Sequence, residues 1–200
     1  MKKILYLFLA LASFEISAQT TAEEYLNSAD SKFYLNEING AIVDYTTAIE
    51  IDPNYVEAYR KRGLAKEIIK DFSGAIVDYT IAIEINPDYA PAYRDRGVAK
   101  DKLKDFSGAI VDYTIAIEIN PDYAGAFHDR GITKGKLKDH YGLIADQTKA
   151  IEIDPNYATA YFNRGVAKFY LGDMIGACKD ARKAQELGDD ASILINKACN

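Results

Sequence analysis

The sequence predicts an all-α protein: a solenoid of five helix–turn–helix repeats, closed at its C-terminal end by a short capping helix. Three observations carry that reading. The stretch KDFSGAIVDYTIAIEINPDYA occurs twice, at Lys70–Ala90 and again at Lys104–Ala124, an offset of 34 residues. The same period aligns almost everything after residue 21 into units 22–55, 56–89, 90–123, 124–157 and 158–191, with 192–200 left over as a capping segment. The first four units also stop their second helix at an Asp-Pro or Asn-Pro step, at Pro53, Pro87, Pro121 and Pro155. Proline cannot continue a helix, and it disfavours helix in the residue before it.

The chain begins differently. Lys2 and Lys3 precede Ile4–Phe14, a nearly unbroken apolar run, and Ser17-Ala18 then offers small residues for cleavage before Gln19. This is the layout of a secretory signal peptide over residues 1–18. The apolar run is much shorter than the roughly 20 residues a bilayer-spanning helix needs. No cysteine follows the cleavage region to carry a lipid anchor. The expectation is an exported chain without membrane insertion after cleavage. Losing two lysines and one glutamate moves the net charge from −6 to −7.

Within a repeat, a first helix of the type AYRKRGLAKEII leads through a turn such as KDFSG into a second helix, AIVDYTIAIEI. In that second helix Ala75, Tyr79, Ala82 and Ile83 recur at helical spacing and form its buried face. Gly63, Gly97, Gly131 and Gly165 occupy one phase of the first helices, where each costs about 0.8–1.0 kcal/mol relative to alanine. Their recurrence implies close approach of a neighbouring helix, with Ala41, Ala75, Ala109 and Ala177 as small partners. Leu143 breaks the alanine phase, and Gln147 and Ala181 replace tyrosine, so repeats four and five are expected to pack less regularly. Arg62, Arg96, Arg130 and Arg164 each precede an aspartate by 16 residues: Asp78, Asp112, Asp146 and Asp180. That spacing predicts an ion pair across each hairpin. Asp44 has Ser28 at the arginine phase, and is expected to reach Arg62 of the following repeat.

The tail SILINKACN supplies Ile193, Leu194 and Ile195 for packing on repeat five. It also brings Cys199 toward the helix carrying Cys178. In an exported protein these two cysteines read as a disulfide, the alternative being two free thiols.

Catalytic chemistry has little to work with. His128 and His140 lack the i, i+4 spacing of a helical metal pair, and no phosphate loop, nucleophile elbow or C-x-x-C motif is present. The acidic residues recur at repeat phase, as a solvated face does. The chain is therefore read as non-enzymatic, with no metal and no cofactor. Its negative charge speaks against nucleic acid as partner, because phosphate binding needs a basic stripe.

The 34-residue unit, with its recurring R-G, A-x-x-D-Y and N/D-P positions, resembles the tetratricopeptide repeat (TPR). The resemblance covers all but the leader and the tail, and points to an exported bacterial member. It implies a right-handed α-α superhelix whose concave groove, lined by first helices, takes a protein or peptide segment. At the groove positions stand Arg60, Arg94, His128 and Phe162, one per repeat, with Leu64, Val98 and Ile132 one helical turn further on. Asp95 and Asp129 sit beside the cationic row and dilute its field. TPR domains that clamp chaperone tails place asparagine where this chain has Asp30, Leu64 and Val98, so that partner class is not expected. The implied function is a protein-interaction scaffold in the periplasm of a Gram-negative bacterium. The alternative is a structural homo-oligomer built by repeat packing.

Overall fold

The structure, a computed structural model, describes residues 21–199; the expected leader over 1–18 lies outside the described residues. The described residues form eleven helices and no strand. A helix over 21–34 (α1) leads the first hairpin. It is followed by α2 (Ile38–Ile51), α3 (Val56–Ile68), α4 (Phe72–Ile85), α5 (Ala90–Lys102) and α6 (Phe106–Ile119). The remaining helices are α7 (Ala124–Lys136), α8 (His140–Ile153), α9 (Ala158–Tyr170), α10 (Met174–Glu186) and α11 (Ser192–Ala198). Each repeat is one hairpin, with odd-numbered first helices and even-numbered second helices, and consecutive helices pack in pairs as in a TPR solenoid. The chain divides into two compact units, one ending at Asp95 and one starting at Arg96.

The hairpin corners follow from local chemistry. At Lys70 the backbone turns left-handed, with φ 64°. Its N–H bonds the Glu67 carbonyl and the next N–H, of Asp71, bonds the Lys66 carbonyl, each at 2.9 Å. This pair of bonds is the Schellman ending, which satisfies carbonyls the helix would otherwise leave open. Asp71 then caps α4 by accepting from the Gly74 N–H at 2.9 Å. Asp105, Asp139 and Asp173 repeat that cap. At the other end of the second helices, Asp52, Asn86, Asn120 and Asp154 are extended, as a residue before proline must be.

In the first unit the core gathers Leu26, Ala29, Ile38, Ala41, Tyr45, Ile49 and Ile83 around the small residues Ala48, Ala58, Ala65 and Ala82. Tyr45 and Tyr79 are its largest fully enclosed side chains. A Cβ on Gly63 would stand 2.5 Å from the Tyr79 ring, so the glycine is where the tyrosine lies down. In the second unit Gly97 and Tyr113 repeat the arrangement at 2.7 Å. Repeat five solves the problem differently. Ala181 replaces the tyrosine, and Leu194 of α11 fills the space, 3.1 Å from a Cβ on Gly165. The tail is thus a truncated first helix of a sixth repeat, with leucine where complete repeats carry Ala58, Ala92, Ala126 and Ala160. Cys178 and Cys199 are joined, with their Cα atoms 5.1 Å apart, which ties the end of α11 to α10.

Candidate partner-binding site

The Arg–Asp spacing produces a buried lattice under the first helices. Arg62 grips Asp78 with two N–H···O bonds, at 2.7 and 3.0 Å, and Asp78 is 1% exposed. Arg96–Asp112, Arg130–Asp146 and Arg164–Asp180 are built the same way. Each aspartate also takes a lysine one helical turn after the arginine: Lys66, Lys100, Lys134 and Lys168. These lysines were missed at the sequence level, although they recur at one phase in RGLAK, RGVAK and RGITK. A further link joins neighbouring repeats. Arg62 donates to Thr46, Arg130 to Thr114 and Arg164 to Thr148, while each threonine donates to the carbonyl one turn back. A buried bidentate pair of this kind is a structural element and leaves the arginine unfit as a ligand anchor.

Asp44 departs from the expectation that it reaches Arg62. Arg62 is taken up by Asp78 and Thr46, and Asp44 instead accepts from Ser28 at 2.6 Å and pairs with Lys32 at 2.6 Å. Burial pushes its carboxyl up, but the bonds from Lys32 and Ser28 outweigh burial and hold it below the usual value.

On this lattice the first unit carries a cleft of about 130 Å³ between α1, α2 and α3. Arg60 and Leu64 line it, with Phe33, Tyr34, Tyr45, Asp30 and Lys61. Leu64 is half-buried, so the apolar row packs and also shows a face. Tyr34 is 88% exposed at the rim. Asp30 stands at the repeat phase of Leu64 and is held by Lys61 at 2.6 Å and by the Tyr45 hydroxyl at 2.7 Å. Burial first, and that bond to Asp30 second, push the Tyr45 phenol up, which keeps it a neutral donor. Arg60 is not free: Nε bonds Asp95 at 2.7 Å and Nη1 reaches Glu57 at 3.3 Å. Burial works against its charge, and Asp95 more than offsets burial, so the guanidinium is raised still further. Glu57 also accepts from the Tyr89 hydroxyl. Arg94 lies 3.8 Å from Asp95. The dilution of the cationic row expected from Asp95 is therefore a direct ion pair.

The second unit holds Val98, His128, Ile132 and Phe162, all half-buried. His128 stacks on Tyr157, with centroids 4.8 Å apart, and its Nδ1 lies 2.9 Å from Gln147 Oε1. Gln147 spends its amide N–H on the His128 carbonyl at 3.0 Å. Its oxygen can only accept, so Nδ1 carries the proton. Phe162 and Val166 pack against α11, in a cleft of about 210 Å³ with Phe169, Tyr170, Ile193 and Leu194. The Phe33–Tyr34 pair at the first cleft was also missed in the sequence. Both stand at the C-terminal end of α1, where repeat two has Glu67 and Ile68, so only their departure from the repeat could have signalled them. Among the described residues no group of three His, Cys, Asp or Glu side chains could hold a metal ion. No described helix is long and apolar enough to cross a membrane.

Comparison with known proteins places this architecture. A TPR repeat family model matches residues 29–67. The crystal structure of MamA is 29% identical, covers 80% of this chain and 93% of that one, and superposes with a TM-score of 0.73. YrrB, described as a TPR protein with an unusual peptide-binding site, is 22% identical over 93% of this chain and 97% of its own, at a TM-score of 0.69. The first TPR domain of Spaghetti (RPAP3), solved bound to the HSP90 peptide SRMEEVD, is 25% identical over 60% and 95%, at 0.59. No curated protein matches the chain. Fold, repeat lattice and family match together support a TPR protein, a class whose members are generally non-enzymatic interaction scaffolds.

Proposed function

We propose that this chain is an exported scaffold of the bacterial cell envelope that binds a protein segment on its first-helix faces, without cofactor or covalent chemistry. The observation that carries the reading is the cleft of the first unit. An exposed Tyr34 and a half-buried Leu64 offer apolar contact beside Lys61 and Arg60, which ion pairs hold in place before any partner arrives. A preformed site avoids most of the ordering cost of binding. The positive, apolar and small-residue order of residues 1–18 supports export.

A photo-crosslinking amino acid at position 34, in a bacterial host that exports the chain, tests both parts. The expected result is one heterologous adduct, identified by mass spectrometry and lost on Leu64→Asp, from protein whose N-terminus is Gln19. Adducts only to a second copy would establish the homo-oligomer instead. An intact Met1 would remove the export reading.

A further inference from the structure

The second helix of repeat five departs from the other four on one face. Where repeats one to three carry Asn39, Ser73 and Ser107, it has Ile175, which is 87% exposed. Where they carry Val43, Val77 and Val111, it has Lys179. Where repeats one to four carry threonine, it has Arg182. The threonine phase has a known duty in the lattice, since Thr46, Thr114 and Thr148 accept from the arginine of the repeat that follows. After α10 the corresponding position is Ala198, so no arginine arrives and the scaffold places no demand on Arg182. Lys179 and Arg182 are both exposed, and neither has a hydrogen-bond or ion-pair partner among the described residues. They border an open depression of about 720 Å³, together with Ile175, Tyr161 and Lys183. Lys183 is already engaged by Glu186 at 2.8 Å.

We propose that this face of α10 docks an acidic segment of a partner protein, with carboxylates on Lys179 and Arg182 and an apolar side chain over Ile175. Charge complementarity selects the occupant. The two cations stand one helical turn apart and unpaired, because the acidic residues of the same depression are engaged elsewhere, Asp180 by Arg164 and Lys168 and Glu186 by Lys183. The chain around them has a net charge of −6. Two copies of such a chain repel each other at long range, whereas a local acidic segment is drawn to the patch once it comes within about 8–10 Å, the screening length at ordinary salt. The depression borrows Tyr161 and Arg164 from α9 but shares no residue with the first cleft, and the proposal does not depend on that cleft's role.

The test uses the full mature chain and a short fluorescent peptide of alternating glutamate and leucine. Saturable binding is expected, weakened about tenfold by Lys179→Glu with Arg182→Glu and falling steadily with added salt. Ile175→Ser should weaken it without changing the salt dependence. Circular dichroism should show unchanged helix content in both variants. Absent saturable binding, or equal binding of the lysine–leucine counterpart, would overturn the proposal. So would light scattering in which the wild type self-associates and the double variant does not, because the face would then belong to a second copy.

Discussion

Repeats two and four share a backbone plan but solve the same packing problem with different side chains. In repeat two the Tyr79 ring lies over Gly63, and its hydroxyl reaches Glu67 at 2.8 Å. In repeat four Gln147 stands in for the tyrosine, Gly135 for the glutamate, Leu143 for the alanine and His128 for Arg60. These changes compensate one another. A Cβ at Gly135 would sit 2.5 Å from Leu143 Cδ1, so the leucine fills space that the glycine opens. Gln147 is too short to reach position 135 and spends both ends of its amide on His128. A residue at a groove position is therefore chosen partly by the core beneath it, and the irregular packing expected of repeat four is a coordinated exchange.

Truncation is the strongest way to break that comparison. Tyr79→Ala removes a fully buried ring and leaves Gly63 with nothing against it, at a cost of about 3–5 kcal/mol. Gln147→Ala removes a smaller side chain and strands the His128 ring N–H and carbonyl, at a cost of about 1–3 kcal/mol. Hydrogen exchange reads the two separately: α3 and α4 should lose protection in the first variant, α7 and α8 in the second, and the first loss should be larger. Equal losses would show that the tyrosine is no more central than the glutamine.

Alkali should separate the repeats more gently. Burial first, and then the bond to Glu57, push the Tyr89 phenol up to about 12 from its ordinary 10.0. A group raised by folding contributes stability that is complete below its unfolded value and is lost as pH climbs through the folded one. The first unit should therefore weaken between pH 10 and 12. Tyr45 and Tyr79 are raised as well, each chiefly by burial, which extends the effect to higher pH. Repeat four has no titrating group at the Gln147 phase. Raising the pH should strip protection from α3 and α4 before α7 and α8, and Tyr89→Phe should lessen the loss between pH 10 and 12, leaving the share due to Tyr45 and Tyr79. After solvent screening the effect is about 1 kcal/mol.

The scaffold was legible in the sequence because each of its rules recurs at fixed phase. The prolines, the recurring glycine and the 16-residue Arg–Asp spacing all reappear in the folded chain at fixed phase, although what Gly63 and Gly97 make room for is a tyrosine ring and not the alanine expected beside them. What the sequence concealed depended on single departures. Ser28 and Lys32 together capture Asp44, and neither alone shows that Arg62 is already occupied. The lysines shared by each buried aspartate recur in plain view, but lysine is so often a solvated surface residue that its repetition alone does not signal a buried partner. The Arg60 position looked like a free cation because its partner, Asp95, lies one repeat further along the chain. Contacts between repeats have no sequence periodicity of their own unless both ends repeat.

The hairpin corners offer the smallest effect and the sharpest control, since repeats two and four share the Lys-Asp step, the aspartate cap and the backbone angle there. Lys70 and Lys138 both hold a left-handed backbone, with φ of 64° and 65°, where repeat five has Gly172 at 84°. A side chain in that region crowds the following carbonyl by about 1–2 kcal/mol, against which glycine brings a more mobile unfolded chain. Lys70→Gly and Lys138→Gly should each raise stability by about 0.5–1 kcal/mol, by equal amounts, in thermal or denaturant unfolding. A gain in both locates the differences between repeats two and four in their side-chain cores. Unequal gains would mean that the exchange around Gln147 reaches the corner at Lys138, and that the backbone of repeat four is adjusted along with its side chains.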